Sequence, residues 1–289
     1  MAEKEEDVFD VSKVGVWGEP GEFQVTTERT IAYAAATNDE AKQHIEGIYA
    51  PPVFAVVPPF QMLAGASMEV VPPHLLMRVV HGEQDIRIHR PIVGGDVLTS
   101  RAKVVGIHGK SSGVVVNTLV ETRDAAEKLV NEQYFAAFYR GGNWPHELGD
   151  PFPSHDLDPA LRDTAPAATV VQSYDADQTY RYAEASGDPM PIHTDEEFAK
   201  AMGFPGIIVH GLCTMAFTSR AVIGYACPDD PERLKRIVVR FSAPGRPEQT
   251  ITTSVWDTAP VDDRATVAFE TTNNEGAVLI KDGLAEIAR

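Results

Sequence analysis

The segment ASGDPMPIHTDEEFAKAMGFPGIIVHG, Ala185 to Gly211, sets Asp188 and His193 five residues apart around Pro189 and Pro191. A second imidazole, His210, stands directly ahead of an apolar run. A carboxylate and an imidazole titrating near neutrality are well suited to taking and returning a proton. Prolines exclude a regular helix there, so the pair must sit on a stiffened loop. In an arbitrary Asp-Pro-x-Pro-x-His, the Asp would more often cap a turn and the His would be half-buried filler. No metal site is expected, because no third ligand stands near Asp188 and His193 in sequence. Ser186 and Ser219 lack the signature of a nucleophile elbow. Cys213 and Cys227 have no partner at metal spacing and are too few for a disulfide framework, so they read as free thiols.

The elements that must hold these residues occur twice. YAAATND (Tyr33 to Asp39) matches YAEASGD (Tyr182 to Asp188), and IRIHRPIVGGDVLT (Ile86 to Thr99) matches VRFSAPGRPEQTIT (Val239 to Thr252). The order and nearly constant offset indicate an internal duplication of about 150 residues per copy. Between the copies, residues 141–166 are rich in Pro and polar residues and read as a linker. The expected division is residues 1–140, 141–166 and 167–289. Each copy has a short helix (Thr27–Thr37 or Asp175–Ser186), an irregular loop, an apolar helix, and four Val-, Ile- and Thr-rich runs of strand character. The apolar helices are PPVFAVVPPFQMLAGAS, broken by prolines, and HGLCTMAFTSRAVIGYA. A helix apolar all round is best buried by a sheet wrapped about it. The fold class is therefore α+β, with two antiparallel sheets, each around a central apolar helix.

With 289 residues, 43% of them apolar, the chain can bury a large core. Its 25 basic against 42 acidic residues give a net charge of −17, which opposes nucleic-acid binding. No run is long and apolar enough for a membrane span, and MAEKEEDVFD lacks the apolar stretch of a signal peptide. A cytoplasmic protein is expected, and a homodimer is compatible with the sequence.

The run from Ser186 through Gly-Asp-Pro-Met-Pro-Ile to His193, with His210-Gly-Leu-Cys-Thr214 after it, resembles the S-G-D-x-N-P-[LIV]-H signature of MaoC-like (R)-specific enoyl-CoA hydratases. YAAATND and Ala50 to Val57 are similar to the first half of two-domain members of that family. The resemblance implies a double hotdog fold, a catalytic second half, a first half that shapes an acyl pocket, and coenzyme A or acyl-carrier-protein thioester substrates. No cofactor is implied. Met190 departs from the pattern by replacing its Asn.

On that resemblance, Asp188 and His193 would share one water, with His193 the base, and the Gly211 N–H would bind the developing enolate oxygen at a helix start. His210 and Met190 would contact substrate. Phe54 and Phe60, with Val57 and Met62, are candidates for the acyl lining, although plain core packing is the better reading for any single one of them. An acidic protein needs local cations to hold coenzyme A, and Arg87, Arg240 and Arg246 are the candidates, with Arg90 and Lys110 beside them. Asp39 and His44 repeat the five-residue spacing, but the charged residues between them suggest a solvated loop rather than a second site. Two alternatives share the fold: a hotdog thioesterase, and a non-catalytic subunit of a hydratase complex.

Overall fold

A computed structural model describes residues 6–289. The first half runs β1 (Gly21–Gln24), α1 (Thr27–Ala36), α2 (Lys42–Ile45), α3 (Phe60–Met68), β2 (Val79–Ile88), β3 (Val97–Lys110), β4 (Gly113–Arg123) and β5 (Leu129–Arg140). A short β6 (Glu147–Gly149) leads to the second half. That half comprises β7 (Ala168–Ser173), α4 (Gln178–Ser186), α5 (Glu196–Ala201), α6 (Gly211–Ala226), β8 (Leu234–Phe241), β9 (Thr250–Val261), β10 (Arg264–Asn273) and β11 (Val278–Ala288).

The two expected sheets join edge to edge into one. Its strand order is β1-β3-β4-β5-β2-β8-β11-β10-β9-β7, with β6 added on β3. Read outward from the β2–β8 joint, both halves have the same connectivity, as a duplicated unit should. The joint is antiparallel, with Asp85 opposite Val238 and Ile86 opposite Ile237. Each half thereby covers what would otherwise be the other's open edge. The eight longer strands fall close to their expected places, because alternating Val, Ile and Thr runs fit a pleated surface with one buried face. The four-residue β1 and the six-residue β7 escaped notice, being too short to show alternation.

The two central helices differ. α6 buries Leu212, Met215, Phe217, Val222 and Ile223, among others, against the strands of its half. Each such large side chain contributes about 1.5–3 kcal/mol on burial. α3 is preceded by a 3₁₀ turn, Pro52–Val56, and buries only Leu63 and Ser67 along its own length. Pro58 and Pro59 interrupt what would otherwise be one long helix.

The stretch 141–166 is no free tether. β6 pairs with β3, and the buried His155 lies across the β2–β8 joint. Its ring reaches the Asp282 carbonyl at 2.5 Å and Glu83 at 2.7 Å.

Candidate active site

The loop between α4 and α6 carries the site. Gly187 ends α4 in the left-handed region (φ 78°), which glycine adopts without strain, and turns the chain toward Asp188. The Ser186 hydroxyl accepts the Asp188 N–H at 3.2 Å, and Asp188 Oδ1 accepts the Met190 N–H at 3.1 Å. Pro191 opens a single 3₁₀ turn that ends on His193. The prolines thus do what their fixed φ suggests, holding a short loop in one shape.

His193 is buried, and its Nδ1 lies 2.7 Å from the Ile208 carbonyl. A carbonyl only accepts, so Nδ1 carries the proton and Nε2 keeps a lone pair. The rings of His193 and His210 stack at 3.7 Å, 23° from parallel. His210 Nε2 lies 4.0 Å from Asp188 Oδ2. Ligand atoms of Asp188, His193 and His210 all fall within 4.8 Å of one another. The reason for expecting no metal was the lack of a third ligand, and folding supplies one.

Burial sets the protonation states. It raises the Asp188 carboxyl above its usual range, opposed by the Met190 N–H and the neighbouring imidazole. It lowers His193, opposed by the Ile208 carbonyl and Asp188. It drives His210 down to about 2, with the His193 ring adding to the effect. Both imidazoles are therefore neutral near pH 7. His210 Nδ1 is buried without a hydrogen-bond partner, which leaves an acceptor unused in the protein itself.

The start of α6 is equally unspent. Asp195 caps α5 by accepting from Glu197 and Phe198 N–H, and Thr26 caps α1 by accepting from Arg29 N–H. His210, the cap of α6, gives no side-chain bond. The α6 ladder begins with the Thr214 N–H on the His210 carbonyl at 3.0 Å. The N–H groups of Gly211, Leu212 and Cys213 stand ahead of that bond, at the positive end of a 16-residue helix.

Other expected residues fall elsewhere. Met190 is 48% exposed, and only its backbone N–H reaches Asp188. Phe54 is fully buried with its ring edge-on to Tyr33, and Val57 is buried too. Phe60 and Met62 lie partly buried against the core at the start of α3. The candidate arginines are engaged: Arg87 with Asp85, Arg90 with Asp96, Arg240 with Asp282 and Glu83, Arg246 with Glu275. Arg240 follows the strand alternation away from Phe241, which lies against Gly211. Arg246 is nearer the site, since the Val209 N–H bonds the Gly245 carbonyl beside it. Lys110 is exposed at the end of β3.

Asp39 and His44 overturn the expectation of a solvated loop. Both are buried, and Asp39 Oδ2 lies 2.8 Å from His44 Nδ1. The charged Glu40 and Lys42 between them do remain exposed, while Asp39 and His44 turn inward to bond each other.

Sequence reasoning matched Tyr33 with Tyr182 but gave them no role. Their hydroxyls meet at 3.3 Å where α1 packs on α4, and the Tyr182 ring lies 4.8 Å from His210. The matched positions were the signal: residues kept in register by a duplication can meet on its pseudo-twofold axis.

Comparison with known proteins agrees with this architecture. Residues 159–278 match the family described as MaoC like domain, and residues 23–141 match MFE-2 hydratase 2 N-terminal domain. A probable enoyl-CoA hydratase 2 of Dictyostelium discoideum is 30% identical over 280 residues, covering 93% of this chain and 92% of that protein. The peroxisomal multifunctional enzyme type 2 of Drosophila melanogaster is 30% identical over 264 residues, 86% of this chain and 44% of that longer one. The crystal structure of a MaoC-like dehydratase from Phytophthora capsici superposes with a TM-score of 0.83 at 28% identity, over 97% of this chain and 99% of that one.

Proposed function

Because this chain belongs to the MaoC-like enoyl-CoA hydratase 2 family, we propose that it hydrates trans-2-enoyl-CoA thioesters reversibly to (3R)-3-hydroxyacyl-CoA using Asp188 and His193. One observation carries the reading: a neutral His193 with Nδ1 committed to a carbonyl and Nε2 free, packed beside a half-buried Asp188 and the open start of α6.

In this reading His193 Nε2 takes one proton from water while Asp188 accepts a hydrogen bond from its other hydrogen. The water oxygen bonds to C3 and the C2=C3 π pair moves toward C2, placing negative charge on the thioester oxygen. The Gly211 N–H holds that oxygen, and the proton taken from water is returned to C2 on the same face. Atoms balance as the addition of one water, and the reverse path dehydrates. Preorganised donors of this kind typically lower the barrier by about 3–4 kcal/mol each.

Residues 167–289 carry the chemistry here, and residues 1–140 shape the acyl pocket. The Met190 backbone contact supports activity despite the departure from the family pattern, because the bond to Asp188 needs no side chain. Among the described residues no helix is long and apolar enough to cross a membrane. A cytoplasmic location belongs to this proposal; the peroxisomal name of one relative makes imaging of a tagged chain its test.

The experiment is a panel of enoyl-CoA thioesters of increasing length, followed by loss of the conjugated thioester absorbance, with product configuration determined. Formation of (3R) product supports the reading. Release of free thiol would replace it with a thioesterase, and inactivity except with a second chain would replace it with a non-catalytic subunit.

A further inference from the structure

Arg29, on α1, stands apart from the arginines that carboxylates neutralise. No carboxylate pairs with it among the described residues, and its Nε is buried without a hydrogen-bond partner. Two neighbours fix it. Its guanidinium carbon lies 4.9 Å from the centre of the Phe23 ring. Its Nη2 lies 3.4 Å from where a Cβ on Gly187 would be, immediately before Asp188. A residue of the first half therefore delivers an uncompensated cation to the rim of a loop in the second.

The duplication provides an internal control. Tyr33 and Tyr182 are 149 positions apart, and the same offset carries Arg29 onto Gln178 (29 + 149 = 178). Gln178 is neutral, and its Nε2 is spent on the Ala36 carbonyl at 2.6 Å, closing the α1–α4 contact at that end. At the end beside the catalytic loop the equivalent place holds a charge that no such bond consumes. A chain of net charge −17 repels a polyanionic substrate, so a free guanidinium at the rim serves to draw one in.

We propose that Arg29 binds the phosphate-bearing arm of the thioester substrate, so that the first half contributes directly to substrate binding. This rests on the hydratase reading above. Arg29→Met keeps an apolar stem of similar length and removes the charge together with its contact over the Phe23 ring; Arg29→Lys keeps a charge. Each is compared with wild type for hydration of crotonyl-CoA and of crotonyl-pantetheine, which lacks the phosphates. Arg29→Met is expected to raise KM for crotonyl-CoA by about ten- to hundredfold, the loss of one charge-assisted hydrogen bond. Its kcat, and both constants for crotonyl-pantetheine, should match wild type, and Arg29→Lys should recover part of the loss. An equal KM rise for both thioesters would make Arg29 a support for the loop, and no rise for either would leave its charge unused; each overturns the proposal while the hydratase reading stands. A wild-type protein that hydrates neither thioester overturns both.

Discussion

The loop from Asp188 to Gly211 and its first-half counterpart from Asp39 to Phe60 begin with the same ingredients and end differently. Both place an Asp five residues before a His and then enter a central helix. In the first half the Asp bonds its own His, Asp39 to His44 at 2.8 Å. In the second, the His turns to a carbonyl instead, and Asp188 is left to face a second imidazole. The helix starts diverge as well. α6 opens with three N–H groups outside its ladder, whereas α3 follows Pro58 and Pro59, which have no N–H to offer. The first-half pair bonds internally and, although the buried His44 Nε2 has no partner, it lacks an anion site beside it, so it holds a loop. Chemistry requires polar groups left unsatisfied by the protein and available to a substrate.

That contrast can be broken most severely at the pair itself. Asp188→Ala or His193→Ala should lower kcat by about 10²–10⁴-fold, the usual worth of a positioned proton carrier, whereas His44→Ala should leave kcat unchanged. Loss of turnover in His44→Ala, with the fold intact by circular dichroism, would reverse the assignment of the halves. Giving α6 the first-half feature comes next. Gly211→Pro removes the donor at a position where proline suits the backbone, and should cost about 10²–10³-fold in kcat. Gly211→Ala keeps the N–H and meets Phe241 at the same 3.2 Å, so it isolates the donor from the added bulk.

A third measurement concerns stability. Asp39→Ala leaves the His44 Nδ1 unpaired in the interior and should cost about 1–3 kcal/mol, read from the denaturant midpoint, with kcat retained.

The pH dependence should report the buried imidazoles of both halves, since burial also lowers His81 of the first half to about 4. His193 and His210 have folded-state values depressed below 6.5, so below that pH the unfolded chain binds more protons than the folded one. Stability contributed by their neutral state is therefore present above pH 6.5 and is lost as pH falls toward their folded values. Asp188, raised by burial, has the opposite sign: it opposes folding as pH rises above 3.8. His210→Gln should flatten the fall in unfolding midpoint between pH 7 and pH 5, and a slope unchanged by it would contradict the burial argument. The smallest effect is expected for Met190→Asn. The contact with Asp188 is through the backbone and the side chain is half exposed, so kcat should change by less than about threefold; a larger gain would place that side chain in the reaction.

Much of the fold was legible because it repeats. Periodicity located the long strands and α6, and the match of Tyr33 with Tyr182 showed the duplication but not that the two hydroxyls meet. Short edge strands were not legible, since four residues cannot display an alternation. Asp188 and His193 were legible because loop and prolines lie within one local segment. The stacking of His210 on His193, the free Arg29 and the dry Asp39–His44 pair were not.

By itself, the sequence determined the periodicities, the duplication and the stiff loop, all consequences of local sterics and side-chain polarity over short spans. Tertiary structure alone decided which Asp–His pair bonds to itself, which helix start is left open and that the arginine beside the candidate loop meets no carboxylate. Those outcomes depend on desolvation and on partners far away along the chain, and both arise only when the halves close on one another.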